Sequence, residues 1–315
     1  MNFDNLQEYI KEEVRCDHVV TTEVKKLWAA QMSCAKEFQR ICKKHNIKYF
    51  ADGGTLIGAI RHKGFIPWDD DMDVAMLEED YEKFCKIAPT EIQEPFFFQH
   101  YETQEGFGPA MARIRRKDTT ACTQFEYDTY TEEYNCGVFL DVFPYTYVPN
   151  SRIGVALKKM QRMVWVAAVT GYETLRKIKR DGTSKGVPFK KKVCVWIWRF
   201  LSVFISHKAL CKKYLKACSA NKKTDRVTNV PFAGYRENKF IPTSCFEQTI
   251  EVPFEDMTIM VPWKYHEVLT AFYGNYMEFV KGTQMHTMAV FDAEVPYTEK
   301  LKDHYEECAK RKAKK

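Results

Sequence analysis

Apolar positions along the chain follow two different periods. Between residues 22 and 45, Val24, Leu27, Trp28, Met32, Ala35 and Phe38 fall on one stripe of a 3.6-residue repeat, which predicts an amphipathic helix. Lys48–Ala51 reads as a short strand, Gly53-Gly54 as the turn out of it, and Thr55 to Arg61 as a helix followed by a loop marked by Gly64 and Pro67. Further strands are predicted at 71–76, 96–100, 110–115 and 138–143, the last stopped by Pro144, with a helix at 78–87 ended by Pro89. Such alternation of short strands and helices argues for an α/β or α+β core over about residues 40–148.

Two longer helical patterns follow, at about 151–179 and 188–219, split by the turn-rich stretch Asp181 to Pro188. The second carries Val193-Cys-Val-Trp-Ile-Trp198, then Phe200, Leu201, Val203, Phe204 and Ile205. It is too short to span a bilayer. It suits either an interfacial helix or a buried core helix with lysines at its ends. Residues 250–262 predict a strand or hairpin edge, 263–273 a helix stopped at Gly274, and Lys310–Lys315 a frayed basic tail. Three regions result: 1–150 as core with N-terminal helices, 151–223 as a helical insertion, and 224–315 completing the core.

Charge sharpens this division. The 315 residues carry 48 Lys+Arg and 42 Asp+Glu, a net of +6. Residues 151–223 hold 19 of those bases and two acids, Glu173 and Asp181, for a net of +17; the remainder is −11. A block this lopsided suits a polyanionic neighbour: an anionic membrane surface, a phosphorylated substrate or a nucleic acid. There is no zinc-finger spacing and no nucleic-acid signature beyond charge, so no nucleic-acid partner is expected. The 11 cysteines include no Cys-x-x-Cys and read as reduced thiols. With no basic-then-apolar start at Met1-Asn2-Phe3-Asp4, a cytoplasmic protein is expected, peripheral at the inner membrane face if the basic block touches lipid.

The chemistry concentrates in residues 49–76. Asp69, Asp70, Asp71 and Asp73 crowd five positions among Phe65, Ile66, Trp68, Val74 and Met76. Carboxylates repel at that density. A divalent cation removes the penalty, and hard oxygen ligands suit Mg²⁺ or Mn²⁺. An extended segment would put Asp69, Asp71 and Asp73 on one face and Asp70 on the other. Gly53-Gly54-Thr55 opens a helix, where free N–H groups can meet a phosphate. Arg61, His62 and Lys63 lie between these features and are candidates for phosphate oxygens. Asp141, in Gly137-Val-Phe-Leu-Asp-Val-Phe-Pro144, is a carboxylate on an apolar strand, and is read as a further ligand or base.

A strand, Gly-Gly, a helix, Asp-x-Asp and a later strand Asp resemble the nucleotidyltransferase superfamily, although sixteen residues separate Gly54 from Asp71, more than its usual gap. The wording Gly53-Gly-Thr-Leu-Ile-Gly-Ala-Ile-Arg-His-Lys-Gly-Phe-Ile-Pro-Trp-Asp-Asp-Asp-Met-Asp73 closely resembles the LicD family of phosphocholine transferases, related to fukutin-type ribitol-phosphate transferases. Gly137–Pro144 is similar to that family's second block. Phe254–Tyr265 with Leu269–Met277 is similar to its C-terminal block.

The resemblance implies a nucleotidyltransferase-like mixed sheet flanked by helices. It implies metal ligation by Asp69, Asp71 and Asp73 with Asp141 as a further acid, phosphate contacts around Gly53, Gly54 and Thr55, and catalytic-loop roles for Arg61, His62 and Lys63. Asp70 is an alternative base to Asp141. Family members often carry prolines and a basic/His cluster after the last block; here Lys281–His286 follows, and His286 is retained as a substrate-side candidate. The implied reaction moves a phospho-alcohol, phosphocholine first among them, from a CDP-alcohol to a hydroxyl of a cell-surface glycan or its lipid-linked precursor. Transfer of a nucleoside monophosphate to a small acceptor, ribitol- or glycerol-phosphate transfer, and a binding protein with a degenerate core are the alternatives.

Overall fold

Thr21 starts the first long helix: its Oγ1 accepts from the Val24 N–H at 3.4 Å. In the computed structural model, which describes residues 6–129, 134–181, 183–229, 236–280 and 288–313, a short α1 (Leu6–Tyr9) and a hairpin of β1 (Glu13–Arg15) and β2 (His18–Val20) precede it. This helix, α2 (Thr22–Lys44), buries Leu27, Trp28, Met32, Ala35 and Phe38 of the predicted stripe and leaves Val24 half-buried. There follow β3 (Phe50–Ala51), α3 (Gly53–Arg61), β4 (Asp73–Leu77), α4 (Glu78–Glu91), β5 (Phe96–Gln99), β6 (Ala112–Arg116), β7 (Thr120–Thr123), α5 (Gln124–Thr129) and β8 (Val138–Tyr147).

The main sheet runs β10-β9-β8-β4-β3, where β9 is Arg226–Asn229 and β10 is Ile241–Pro242; β6 also pairs with β8, and β5 with β6. The pairing of β4 with β8 is parallel and the others are antiparallel. This is the α+β core that the alternation predicts, with the mixed sheet that the resemblance implies. β8 is buried along its whole length and forms the spine.

Two proline stops are overridden. β8 passes through Pro144 because β6 leaves β8 at Val142 and β9 joins it at Tyr145. The Asp141 N–H points to β4, onto the Met72 carbonyl at 3.1 Å, so the nitrogen of Pro144 faces the gap between β6 and β9, where no ladder bond is lost. α4 continues past Pro89 to Glu91, since a proline in the last turn forfeits a single bond and the Ile92 N–H still reaches the Ala88 carbonyl at 3.0 Å.

The basic block forms α6 (Arg152–Asp181), α7 (Phe189–Leu201) and α8 (His207–Cys218). The single helix expected over 188–219 is thus two, because Ser206 caps a new one by accepting from the Ala209 N–H at 3.3 Å. α7 buries Val195 and Trp198, the latter clustered with Ala168 and Leu210. A Cβ at Gly171 would overlap the Cys194 carbonyl, so this glycine lets α6 and α7 approach closely. The other edge of α7 faces outward: Phe189, Trp196 and Phe200 are 79%, 72% and 68% exposed. No helix among the described residues is long and apolar enough to cross a membrane.

Beyond β10, a hairpin of β11 (Thr249–Phe254) and β12 (Met257–Pro262) leads to α9 (Tyr265–Tyr273), which stops at Gly274 with φ +67°. β13 (Met288–Asp292) pairs with β7, and α10 (Tyr297–Lys300) and α11 (Lys302–Ala313) follow. The tail expected to fray is therefore helical as far as Ala313.

Candidate active site

Two side chains of α2 fix the acidic loop. Trp28 Nε1–H donates to the Asp69 carbonyl at 3.0 Å and Gln31 Nε2–H to the Asp70 carbonyl at 2.8 Å. The strand itself begins only at Asp73, whose N–H donates to Thr55 Oγ1 at 2.8 Å and whose carbonyl accepts from the Asp52 N–H at 3.1 Å. Because Asp69–Asp71 precede the strand, the alternation expected of an extended segment does not apply. Asp70 is not turned away, and Asp69, Asp70 and Asp71 each present a carboxylate oxygen within 4.8 Å of the others'. Asp73 stands beside Asp141 in the parallel register of β4 with β8.

This convergence is electrostatically costly. Burial, then the Asp71 and Asp70 carboxylates, push the Asp69 carboxyl up to about 8. Burial, then Asp71, Asp141, Asp52 and Asp69, hold Asp73 well above the usual carboxylate range. Asp73 Oδ1 is buried and has no hydrogen-bond partner among the described residues. An unpartnered buried oxygen within an all-oxygen donor set fits a hard divalent cation such as Mg²⁺ or Mn²⁺. The cluster of Cys122, Glu126 and Cys136 does not fit one, since Arg113 and Arg115 already supply positive charge to Glu126.

The diglycine lies directly against these carboxylates. Gly53 sits at φ +55°, and a Cβ on it would lie 3.0 Å from Asp73 Oδ2; a Cβ on Gly54 would overlap Asp69 Oδ2 outright. The first turn of α3, whose N–H groups have no acceptor within the helix, therefore opens beside the aspartates. Asp52 precedes it and accepts from Tyr145 Oη–H at 2.8 Å and Asn229 Nδ2–H at 2.7 Å. Burial raises the Asp52 carboxyl, and those two hydrogen bonds oppose the rise. The Tyr273 hydroxyl reaches the same place, 3.9 Å from where a Gly53 Cβ would stand.

Asp141 is held differently. Arg113 Nε–H donates to its Oδ1 at 2.5 Å and Nη2–H to its Oδ2 at 3.4 Å, while Arg113 Nη1–H donates to Glu126 at 2.8 Å. Arg115 also binds Glu126. Arg61, His62 and Lys63 are carried to the far end of α3, ~12 Å along the axis from Gly53 at 1.5 Å per residue. There Arg61 Nη1–H donates to the Tyr276 and Glu278 carbonyls at 2.7 and 3.0 Å, and Arg61 Nε–H to His62 Nε2 at 2.8 Å. His62 stacks on Phe279, and burial pushes its imidazole down to about 4. Lys63 is exposed at φ +55°. His286 lies outside the described residues.

Asp52, Arg113, Glu126, Asn229 and Tyr273 went unmarked in the sequence. The one local signal was Arg113-Ile-Arg115, charges alternating with an apolar residue on a strand.

A carboxylate cluster before a strand thus faces a diglycine helix start, with an aspartate on the adjacent strand beside it. Residues 46–165 match the family model described as LicD/FKTN/FKRP, nucleotidyltransferase domain. The lipopolysaccharide cholinephosphotransferase LicD of Haemophilus influenzae is 31% identical over 247 residues, which cover 76% of this chain and 86% of that protein. Uncharacterized proteins of Rickettsia typhi and Rickettsia prowazekii are 42% and 44% identical over 65 and 54 residues, about a fifth of each. The chain belongs to the LicD family, a family of transferases.

Proposed function

We propose that the chain transfers phosphocholine from CDP-choline to a sugar hydroxyl of a cell-surface glycan or its lipid-linked precursor, releasing CMP. The observation that carries this reading is the convergence of Asp69, Asp70, Asp71 and Asp73 on the diglycine at the start of α3. Asp69, Asp71 and Asp73 would hold Mg²⁺ or Mn²⁺, which neutralises diphosphate charge and stabilises the departing phosphate oxygen. The first-turn N–H groups of α3 and Thr55 line the approach for the diphosphate. The sugar oxygen forms a bond to the distal phosphorus, the bond from that phosphorus to the CMP oxygen breaks, and the hydroxyl proton passes to a carboxylate. Asp70 is better suited to accept it, because both Asp141 oxygens already accept from Arg113. Arg113 then fixes Asp141 beside Asp73.

The acceptor side of the proposal involves the basic helices. A lipid-linked acceptor is reached from an anionic membrane surface, and the outward stripe of α7, flanked by Lys190, Lys191, Lys192 and Arg199, supplies the matching aromatic and basic groups. The test is incubation with CDP-choline, CDP-glycerol, CDP-ribitol and CTP plus Mg²⁺, with and without glycan acceptors. CMP release from CDP-choline supports the proposal. Pyrophosphate release from CTP favours nucleotidyl transfer instead.

A further inference from the structure

Between α6 and the segments that flank β6 and α5 lies a cavity of about 560 Å³ that the chemistry above leaves unused. Its α6 wall is built from Arg162, Val166, Val169 and Glu173, spaced for one helix face. Arg162 and Glu173 are eleven residues apart, ~16 Å along the axis, so the cavity has a basic end and an acidic end. Arg113, whose guanidinium holds Asp141, is part of its lining.

The acidic end is aromatic. A Cβ on Gly108 would stand 3.8 Å from Glu173 Oε1, so the carboxylate is turned toward the segment that carries Phe107. Phe125 lines this cavity and, with Glu173, a smaller neighbouring one of about 260 Å³, which puts it at the same end. Among the described residues Glu173 has no hydrogen-bond or ion-pair partner. Burial pushes its carboxyl up to about 7, against the pull of Lys191. A partly buried carboxylate left without a partner costs free energy that a cationic ligand offsets. A quaternary ammonium has no N–H to donate, so aromatic faces and a countercharge are the means of recognising it.

We propose that this cavity binds the trimethylammonium end of the transferred alcohol, with Glu173 as countercharge and Phe107 and Phe125 as the aromatic faces. The proposal rests on the phosphocholine reading and makes Glu173 a specificity-determining residue. Arg113 lines the cavity and also holds Asp141; on this proposal the ligand's phosphate is held at the carboxylates while its cationic head enters the cavity.

Two measurements on the full chain test this. In steady-state kinetics, Glu173→Gln raises KM for CDP-choline about tenfold or more, with kcat and KM for the uncharged donor CDP-glycerol within about twofold of wild type. Phe125→Ala gives a smaller change in the same direction. An unchanged KM for CDP-choline, or equal losses for both donors, overturns the assignment. Calorimetric titration with tetramethylammonium chloride reads the cavity apart from turnover. Binding by the wild type and its loss in Glu173→Gln support the site even if no CDP-alcohol is turned over, an outcome that would sink the proposed function alone. Absence of tetramethylammonium binding to the wild type overturns the cavity assignment.

Discussion

Asp73 and Asp141 stand side by side on parallel strands, yet their carboxylates meet opposite fates. Asp141 accepts from Arg113 at 2.5 Å, while Asp73 keeps a buried Oδ1 without a partner among the described residues. The sheet thus places one satisfied and one unsatisfied carboxylate next to each other. An orphaned buried oxygen costs about 1–3 kcal/mol, and such a cost is tolerated where a ligand relieves it.

Asp73→Asn follows from this difference. Without added metal the variant is expected to be more stable than wild type by about 1–3 kcal/mol, because an acid disfavoured by burial and by its carboxylate neighbours gives way to a neutral amide. Turnover should fall to background. Denaturant titration and CMP-release assays check both. Wild-type turnover by the variant would remove Asp73 from the chemistry.

Stability of the metal-free protein should also depend on pH in a defined direction. The Asp69 carboxyl sits at about 8 in the fold, against about 4 in an unfolded chain. Between those values the folded state binds more protons than the unfolded one. Stability therefore falls as pH rises from about 4 to 8. Asp69→Asn should flatten that slope, and saturating Mn²⁺ should reverse it in the wild type. Melting curves at several pH values decide the matter; a slope of the opposite sign in the metal-free wild type excludes this account.

Gly54→Ala separates activity from stability. Alanine at a helical position normally gains about 0.5–1 kcal/mol over glycine. Here the added Cβ meets Asp69 Oδ2, so the carboxylate must move. The expected result is a loss of at least about tenfold in kcat/KM, since a displacement near 1 Å can cost more than that, with little change in melting temperature. Full activity in the alanine variant would show that Asp69 can be displaced without consequence.

What could be read from the sequence was what is encoded locally. The α2 stripe, the diglycine and the four aspartates lie within short windows, and each became an element or a cluster. Pro144 misled because whether a proline breaks a strand depends on where neighbouring strands end, which is a tertiary fact. The break before α8 was masked by the continuous apolar run around it. The partners of the site come from distant segments: Asn229 reaches Asp52 across 177 positions, and Arg113 reaches Asp141 across 28. No local pattern pairs them; strand order does. Arg61 and His62 adjoin the aspartates in sequence, but the length of α3 carries them to its far end, where they meet the segment at 276–279.

The outward edge of α7 yields the last prediction. Phe189, Val193, Trp196 and Phe200 recur at helical spacing and are exposed, with Lys190, Lys191, Lys192 and Arg199 beside them. The full chain should co-sediment with vesicles containing anionic lipid and much less with neutral ones, since each basic residue near such a surface contributes about 1 kcal/mol. Raising the salt concentration should weaken binding. Trp196→Ser combined with Phe200→Ser removes two aromatic side chains, each worth about 1.5–3 kcal/mol when buried, so partitioning should drop by at least about a hundredfold. The melting temperature should hold, because neither ring supports the core. A double variant that sediments like the wild type, or equal binding to neutral vesicles, would mean that this stripe does not face lipid.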